Sequence, residues 1–184
     1  MTGYDRADVA RCWAGFASLG AGLVHLAVTH DHYREWWLFG VFFAVLGGYQ
    51  VAWAVAAMAR RPAPLPALTV GVNTAVVALW ALTRTVGLPF GPGDGAAEAV
   101  GRADVLSVVL EVGVVAALVV AGAASRTSRP VRTRRSALGY LVLMGAGAMA
   151  VSAITTPALA ATGAGGHAHG HGGGSQPHGV HSPG

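Results

Sequence analysis

The chain has 184 residues, 53% of them hydrophobic and 11% charged, with a formal net charge of +4; mean hydropathy is +0.52 and the pI is about 10.0. Soluble domains carry about 25% charged residues, so this composition excludes an ordinary water-soluble globule. It also argues against nucleic acid as a partner, because the 12 basic residues are few, all arginine, and flank apolar runs, where they act as orientation signals.

Five runs are long enough to cross a bilayer core, which takes about 20 mostly apolar residues of helix. They are residues 9–28, 36–59, 65–86, 104–124 and 137–159. The first is preceded by Asp5 and Asp8 as well as Arg6 and Arg11, and Thr29-His30-Asp31 offers no small-x-small cleavage site. It therefore reads as a retained span, not a cleaved signal peptide. Cys12 within it is the single cysteine, which leaves no intramolecular disulfide and no thiolate metal site. Trp36 and Trp37 open the second run, as residues of an interfacial aromatic belt do.

The connectors differ in chemistry. Arg60 and Arg61 precede Pro62, Pro64 and Pro66, which stiffen the link and mark the start of the third run. The next connector, residues 87–102, opens with Gly87-Leu88-Pro89-Phe90-Gly91-Pro92-Gly93-Asp94-Gly95. These turn-formers predict an irregular loop, and loops of that length are often functional. The fourth connector carries Arg126, Arg129, Arg132, Arg134 and Arg135, and Pro157 ends or kinks the fifth run. Residues 163–184 are rich in Gly, His and Pro and almost free of apolar side chains, which predicts a disordered tail.

The two arginine-rich connectors should face the cytoplasm. Five spans then put the N-terminus inside and the tail outside. The expected fold class is all-α, an integral membrane bundle of five transmembrane helices. Small residues recur at i,i+4 spacing: Ala10, Ala14, Ser18 and Gly22 in the first span, Gly40, Ala44, Gly48, Ala52 and Ala56 in the second, and Gly113, Ala117 and Ala121 in the fourth. Lipid gives helices no hydrophobic drive to associate, so such stripes predict close, mostly sequential antiparallel packing.

Polar groups within spans are functional candidates because lipid cannot solvate them. Gln50 and Asn73 fall at similar depth in neighbouring spans, so an amide–amide hydrogen bond is expected between them. Towards the opposite face lie His25, Arg84 and Glu111. A Glu111–Arg84 ion pair is one reading; a metal site or proton relay built on Glu111 and His25 is the other.

The histidines gather on the expected outer side. His25, His30, His32 and Glu35 lie within eleven residues, and His167-Ala168-His169-Gly170-His171 forms a short tract in the tail. Imidazole with carboxylate suits Cu, Zn or Ni. The candidate metal ligands are therefore His25, His30, His32, Glu111, His167, His169 and His171, although solvated interfacial side chains would look the same. No P-loop, dinucleotide fingerprint, nucleophile elbow or C-x-x-C is present. With a single histidine inside a span, haem and quinone sites are not expected.

The segments Glu35-Trp36-Trp37-Leu38-Phe39-Gly40-Val41-Phe42-Phe43 with Gln50, Thr83-Arg84-Thr85-Val86-Gly87-Leu88-Pro89-Phe90-Gly91-Pro92, and Asp104 to Glu111 resemble a family of small hypothetical multi-pass membrane proteins of actinobacteria. The likeness runs from about Gly22 to Val112. It implies a membrane fold and an actinobacterial source, and no ligand or activity. The expected function is non-enzymatic: binding or handing on a transition metal at the outer face of the plasma membrane. The alternative is an accessory subunit that docks onto another membrane protein, or onto a second copy, through small-residue helix faces.

Overall fold

A computed structural model describes residues 6–59, 63–93 and 95–127. The expected fifth span, the Arg60–Arg61 pair, most of the five-arginine connector and the tail with His167, His169 and His171 lie outside the described residues. Four helices follow in order: α1 (Arg6–Glu35), α2 (Trp37–Ala59), α3 (Pro66–Thr85) and α4 (Arg102–Thr127). All four are long and apolar enough to cross a membrane. The described residues contain no strand. Val45, Val55, Val109 and Val119 face outwards and are more than half exposed, as lipid-facing side chains are.

Helix α1 is longer than its apolar run. At 1.5 Å per residue its 30 residues extend about 45 Å. No Gly or Pro breaks the chain between Val28 and Trp36. The last turns also carry their own support: Thr29 Oγ1 donates to the His25 carbonyl (2.8 Å) and His32 Nδ1 donates to the Val28 carbonyl (2.9 Å). His30-Asp31-His32 is thus helical and not a loop at the mouth. Trp36 alone separates α1 from α2, its N–H still bonded to the His32 carbonyl at 2.9 Å. Gly40 makes this reversal possible, since any Cβ there would collide with the Tyr33 ring.

Helix α1 packs against α2 and α4, and α4 against α3, whereas the α2 and α3 backbones do not touch. The α1–α2 crossing is closest at Gly22 and Gly47, where a Cβ on either glycine would stand 2.9 Å from the other's carbonyl oxygen. The stripes expected in α1 and α4 lie at these interfaces: Ala10, Ala14, Ser18 and Gly22 are buried, as is Ala121, with Gly113 and Ala117 half-buried. Of the stripe expected in α2 only Gly40 is buried, with Ala56 half-buried. Ala44, Gly48 and Ala52 are exposed, and no atom lies within 4 Å of a Cβ built on Gly48. Helix α2 instead buries Leu46, Gly47, Gln50, Trp53, Ala54 and Ala57. A face that can bond Gln50 and bury Trp53 outweighs one that offers only close approach.

At one end of the bundle Ala14, Trp53, Ala57, Ala63, Val114 and Leu118 form an apolar core. The turn into α3 is fixed there. Trp53 Nε1 donates to the Pro64 carbonyl at 2.7 Å, while Leu65 caps the helix at a left-handed φ of 45°. The other end, where α1 passes into α2, is built differently.

Candidate functional site

A chamber of about 290 Å³ occupies the α1–α2 junction end, in the space left where α2 and α3 stand apart. Its size is at the lower end of ligand pockets, which run from about 300 Å³ upwards. Helix α2 supplies Phe39, Phe42 and Phe43, α3 supplies Val76, Leu79 and Trp80, and α4 supplies Val108. Trp36 and the loop residues Leu88 and Phe90 also line it. The aromatic side chains hold one another: Trp36 stands edge-on to Phe39 with centroids 5.0 Å apart, and Phe43 lies 4.3 Å from the His32 ring and 5.4 Å from that of His25.

The polar part of the chamber begins with His25 and Glu111. His25 Nε2 lies 2.9 Å from Glu111 Oε1. Glu111 is fully buried and His25 is 3% exposed. Each gives the other a hydrogen-bond partner in a place where an unpaired ionisable group is costly. Gln50 Nε2 donates to the same Glu111 oxygen at 3.4 Å and to Asn73 Oδ1 at 3.3 Å. Asn73 Nδ2 donates onward to the Thr69 carbonyl (2.8 Å), and Tyr49 meets Thr69 Oγ1 at 2.9 Å. These side chains join α2 to α3 where the backbones do not. The expected Gln50–Asn73 bond is present. Glu111, expected in the opposite half of the membrane from Gln50, meets it instead near mid-bundle, because both side chains are long and turn into the same interior.

The expected Glu111–Arg84 pair does not form. Arg84 Nη2 bonds Asp104 Oδ2 at 2.7 Å, and Nη1 bonds Glu98. The reason is reach: Asp104 lies about 10 Å nearer the helix end than Glu111, seven residues at 1.5 Å each, and so is level with Arg84. Asp104 also accepts the Gly101 N–H (2.8 Å), the acidic half of a capping box at the start of α4. The Glu98 N–H donates to the Thr83 carbonyl (3.0 Å), so the irregular loop is tied down at the chamber rim.

The candidate ligands divide accordingly. His25, His32 and Glu111 line the chamber, whereas His30 is exposed on another face of α1. His25 and His32 are seven residues apart and so share a helix face; a five-residue offset turns His30 away. Because His32 Nδ1 donates to a carbonyl, its Nε2 keeps the free lone pair in the neutral ring. Among the described residues no three His, Cys, Asp or Glu side chains converge closely enough to hold a metal ion.

Sequence reasoning did not anticipate Trp80 or the phenylalanine wall. Trp80 precedes Arg84 by four residues and Glu111 follows Asp104 by seven, helical spacings that place each pair on one face. Buried side-chain polar atoms without a hydrogen-bond partner among the described residues include Trp80 Nε1, Arg84 Nε and Glu111 Oε2, all belonging to residues of this chamber. No protein-family model, curated protein or solved structure matches the chain.

Proposed function

We propose that this is a multi-pass plasma-membrane protein that binds a small ligand in the chamber on its outer side, without catalysing its conversion. In this reading five helices span the bilayer, with the N-terminus inside and the Gly/His-rich tail outside. The arginine distribution supports that orientation, and it makes the α1–α2 junction end the outer one. One observation carries the binding role. A fully buried carboxylate, with Oε2 unpartnered among the described residues, lines a preformed chamber with aromatic walls. A buried acceptor left unsatisfied costs about 1–3 kcal/mol, so its retention points to an occupant that satisfies it.

The test is chemical access. In full-length protein with Cys12→Ala, the chamber-wall substitution Val108→Cys should react with a small uncharged maleimide in membrane vesicles. Absence of reaction under conditions that label an exposed loop position such as Ala97→Cys would refute an accessible chamber. A reporter fused to the C-terminus should read as external, and a cytoplasmic signal would refute the topology.

A transition metal, Cu, Zn or Ni, is the second reading. It is supported by His25, Glu111 and His32 lining one space, with the His32 tautomer set as in many metal ligands. The tail's His167, His169 and His171 would supply further donors from the same side. Titration calorimetry with Cu²⁺, Zn²⁺ and Ni²⁺ tests it. Binding unaffected by His25→Ala and His32→Ala, but lost when the three tail histidines are replaced, would assign metal to the tail alone.

A further inference from the structure

We infer that the chamber's ligand is the ring of a lipid-soluble quinol, a para-dihydroxylated aromatic held by both of its oxygens. The inference rests on the chamber reading above and names the ligand class for it. Three features select this chemistry. First, the walls are aromatic and apolar, with Phe43, Trp36 and Trp80 able to stack on or edge a flat ring. Second, the unpartnered polar atoms of the chamber residues are of both kinds, and the residues that carry them stand at different levels along α3 and α4. Glu111 Oε2 is an acceptor, while Trp80 Nε1 and Arg84 Nε are donors. Arg84 is bonded to Asp104. Counting 1.5 Å per residue down each helix from that bond puts Trp80 about 6 Å and Glu111 about 10 Å deeper. A ligand bridging them must donate to Glu111 and accept from Trp80, as the two hydroxyls of a quinol can across one ring. Third, the chamber lies where the α2 and α3 backbones are not in contact, and Leu38 and Phe42 both line the chamber and are exposed. That arrangement gives a side entrance from lipid.

A lone intramembrane histidine in the sequence pointed away from quinones. In the folded chain the second anchor is Trp80, and His25 serves to orient Glu111. Metals match this site less well, because a bare cation has no use for the unpartnered N–H donors. A water-soluble anion would meet Glu111 and the Glu98–Asp104 pair around Arg84, and the cavity gives it no net positive charge.

The probe is tetramethylhydroquinone, kept reduced, with its dimethyl ether as the control that cannot donate. Both are titrated against maleimide labelling of Val108→Cys in the Cys12→Ala full-length protein. The quinol should protect the thiol saturably, and the ether roughly tenfold less well, the worth of a lost hydrogen bond. Trp80→Phe, which keeps an aromatic ring but removes the N–H together with the indole's five-membered ring, should weaken quinol protection by at least a similar factor. Glu111→Leu should abolish the difference between quinol and ether. If Val108→Cys labels but neither compound protects it, or both protect equally, the quinol assignment falls while the chamber stands. If Val108→Cys does not label, both fall. Unchanged protection in Trp80→Phe overturns the two-point anchoring.

Discussion

The α1–α2 crossing offers a sharp test of how this bundle is held, because Gly22 and Gly47 lie within it and Gly48 lies beside it on the exposed face of α2. Replacing Gly22 by Ala puts a Cβ 2.9 Å from the Gly47 carbonyl oxygen and 2.9 Å from Val51 Cγ2. Ordinary contact begins near 3.4 Å, so the helices must separate by about half an ångström. Backbone oxygen cannot rotate away as a side-chain tip can. Overpacking of this kind costs about 1–3 kcal/mol. Ala in place of Gly in a helix interior returns about 1 kcal/mol. The balance is a net destabilisation of roughly 1 kcal/mol for Gly22→Ala, and the reciprocal geometry predicts the same for Gly47→Ala. Gly48→Ala meets nothing within 4 Å among the described residues and should be neutral or stabilising by up to about 1 kcal/mol. The assay is unfolding in mixed micelles by increasing SDS fraction, read by circular dichroism. If Gly48→Ala were as damaging as Gly47→Ala, α2 would be packing through its other face, and the burial of Gln50 and placement of the chamber would be wrong with it.

Other outcomes follow from single contacts. A double-mutant cycle with Gln50→Leu and Asn73→Leu should give a coupling of about 0.6 kcal/mol and no more than about 1.7, the range for hydrogen bonds between membrane helices; zero coupling would contradict the bridge between α2 and α3. Arg84→Met removes the partner of both Glu98 and Asp104, so hydrogen exchange at the Glu98 amide, which is bonded to the Thr83 carbonyl, should accelerate, while amides of mid-α1 stay protected. Trp53→Phe removes the donor to the Pro64 carbonyl together with the indole's five-membered ring, so it should cost more than the roughly 1 kcal/mol of the hydrogen bond alone in the same SDS assay. An unchanged midpoint would mean that this bond does not fix the turn into α3.

Much of the architecture was legible in the order of residues. A bilayer imposes its thickness on each apolar run, so the described spans could be read within a few residues of α2, α3 and α4, and Gly and Pro marked the irregular segment after α3. Burial of a polar group in lipid is costly, so Gln50, Asn73, His25 and Glu111 stood out as groups needing partners, and their helical depths predicted the Gln50–Asn73 bond. The sequence could not say which partner each would take. Depth along a helix is periodic and local; rotation about its axis depends on what the neighbours bury. That rotation turned α2 away from its stripe of small residues and brought Gln50 to Glu111. Arg84 took Asp104 because the two lie level along their helices, and the five-residue offset of His30 from His25 sets it on another face, both spacings already present in the sequence. The chamber itself is wholly a tertiary product, since it exists only because α2 and α3 pack through α1 and α4 and leave the space between them to side chains.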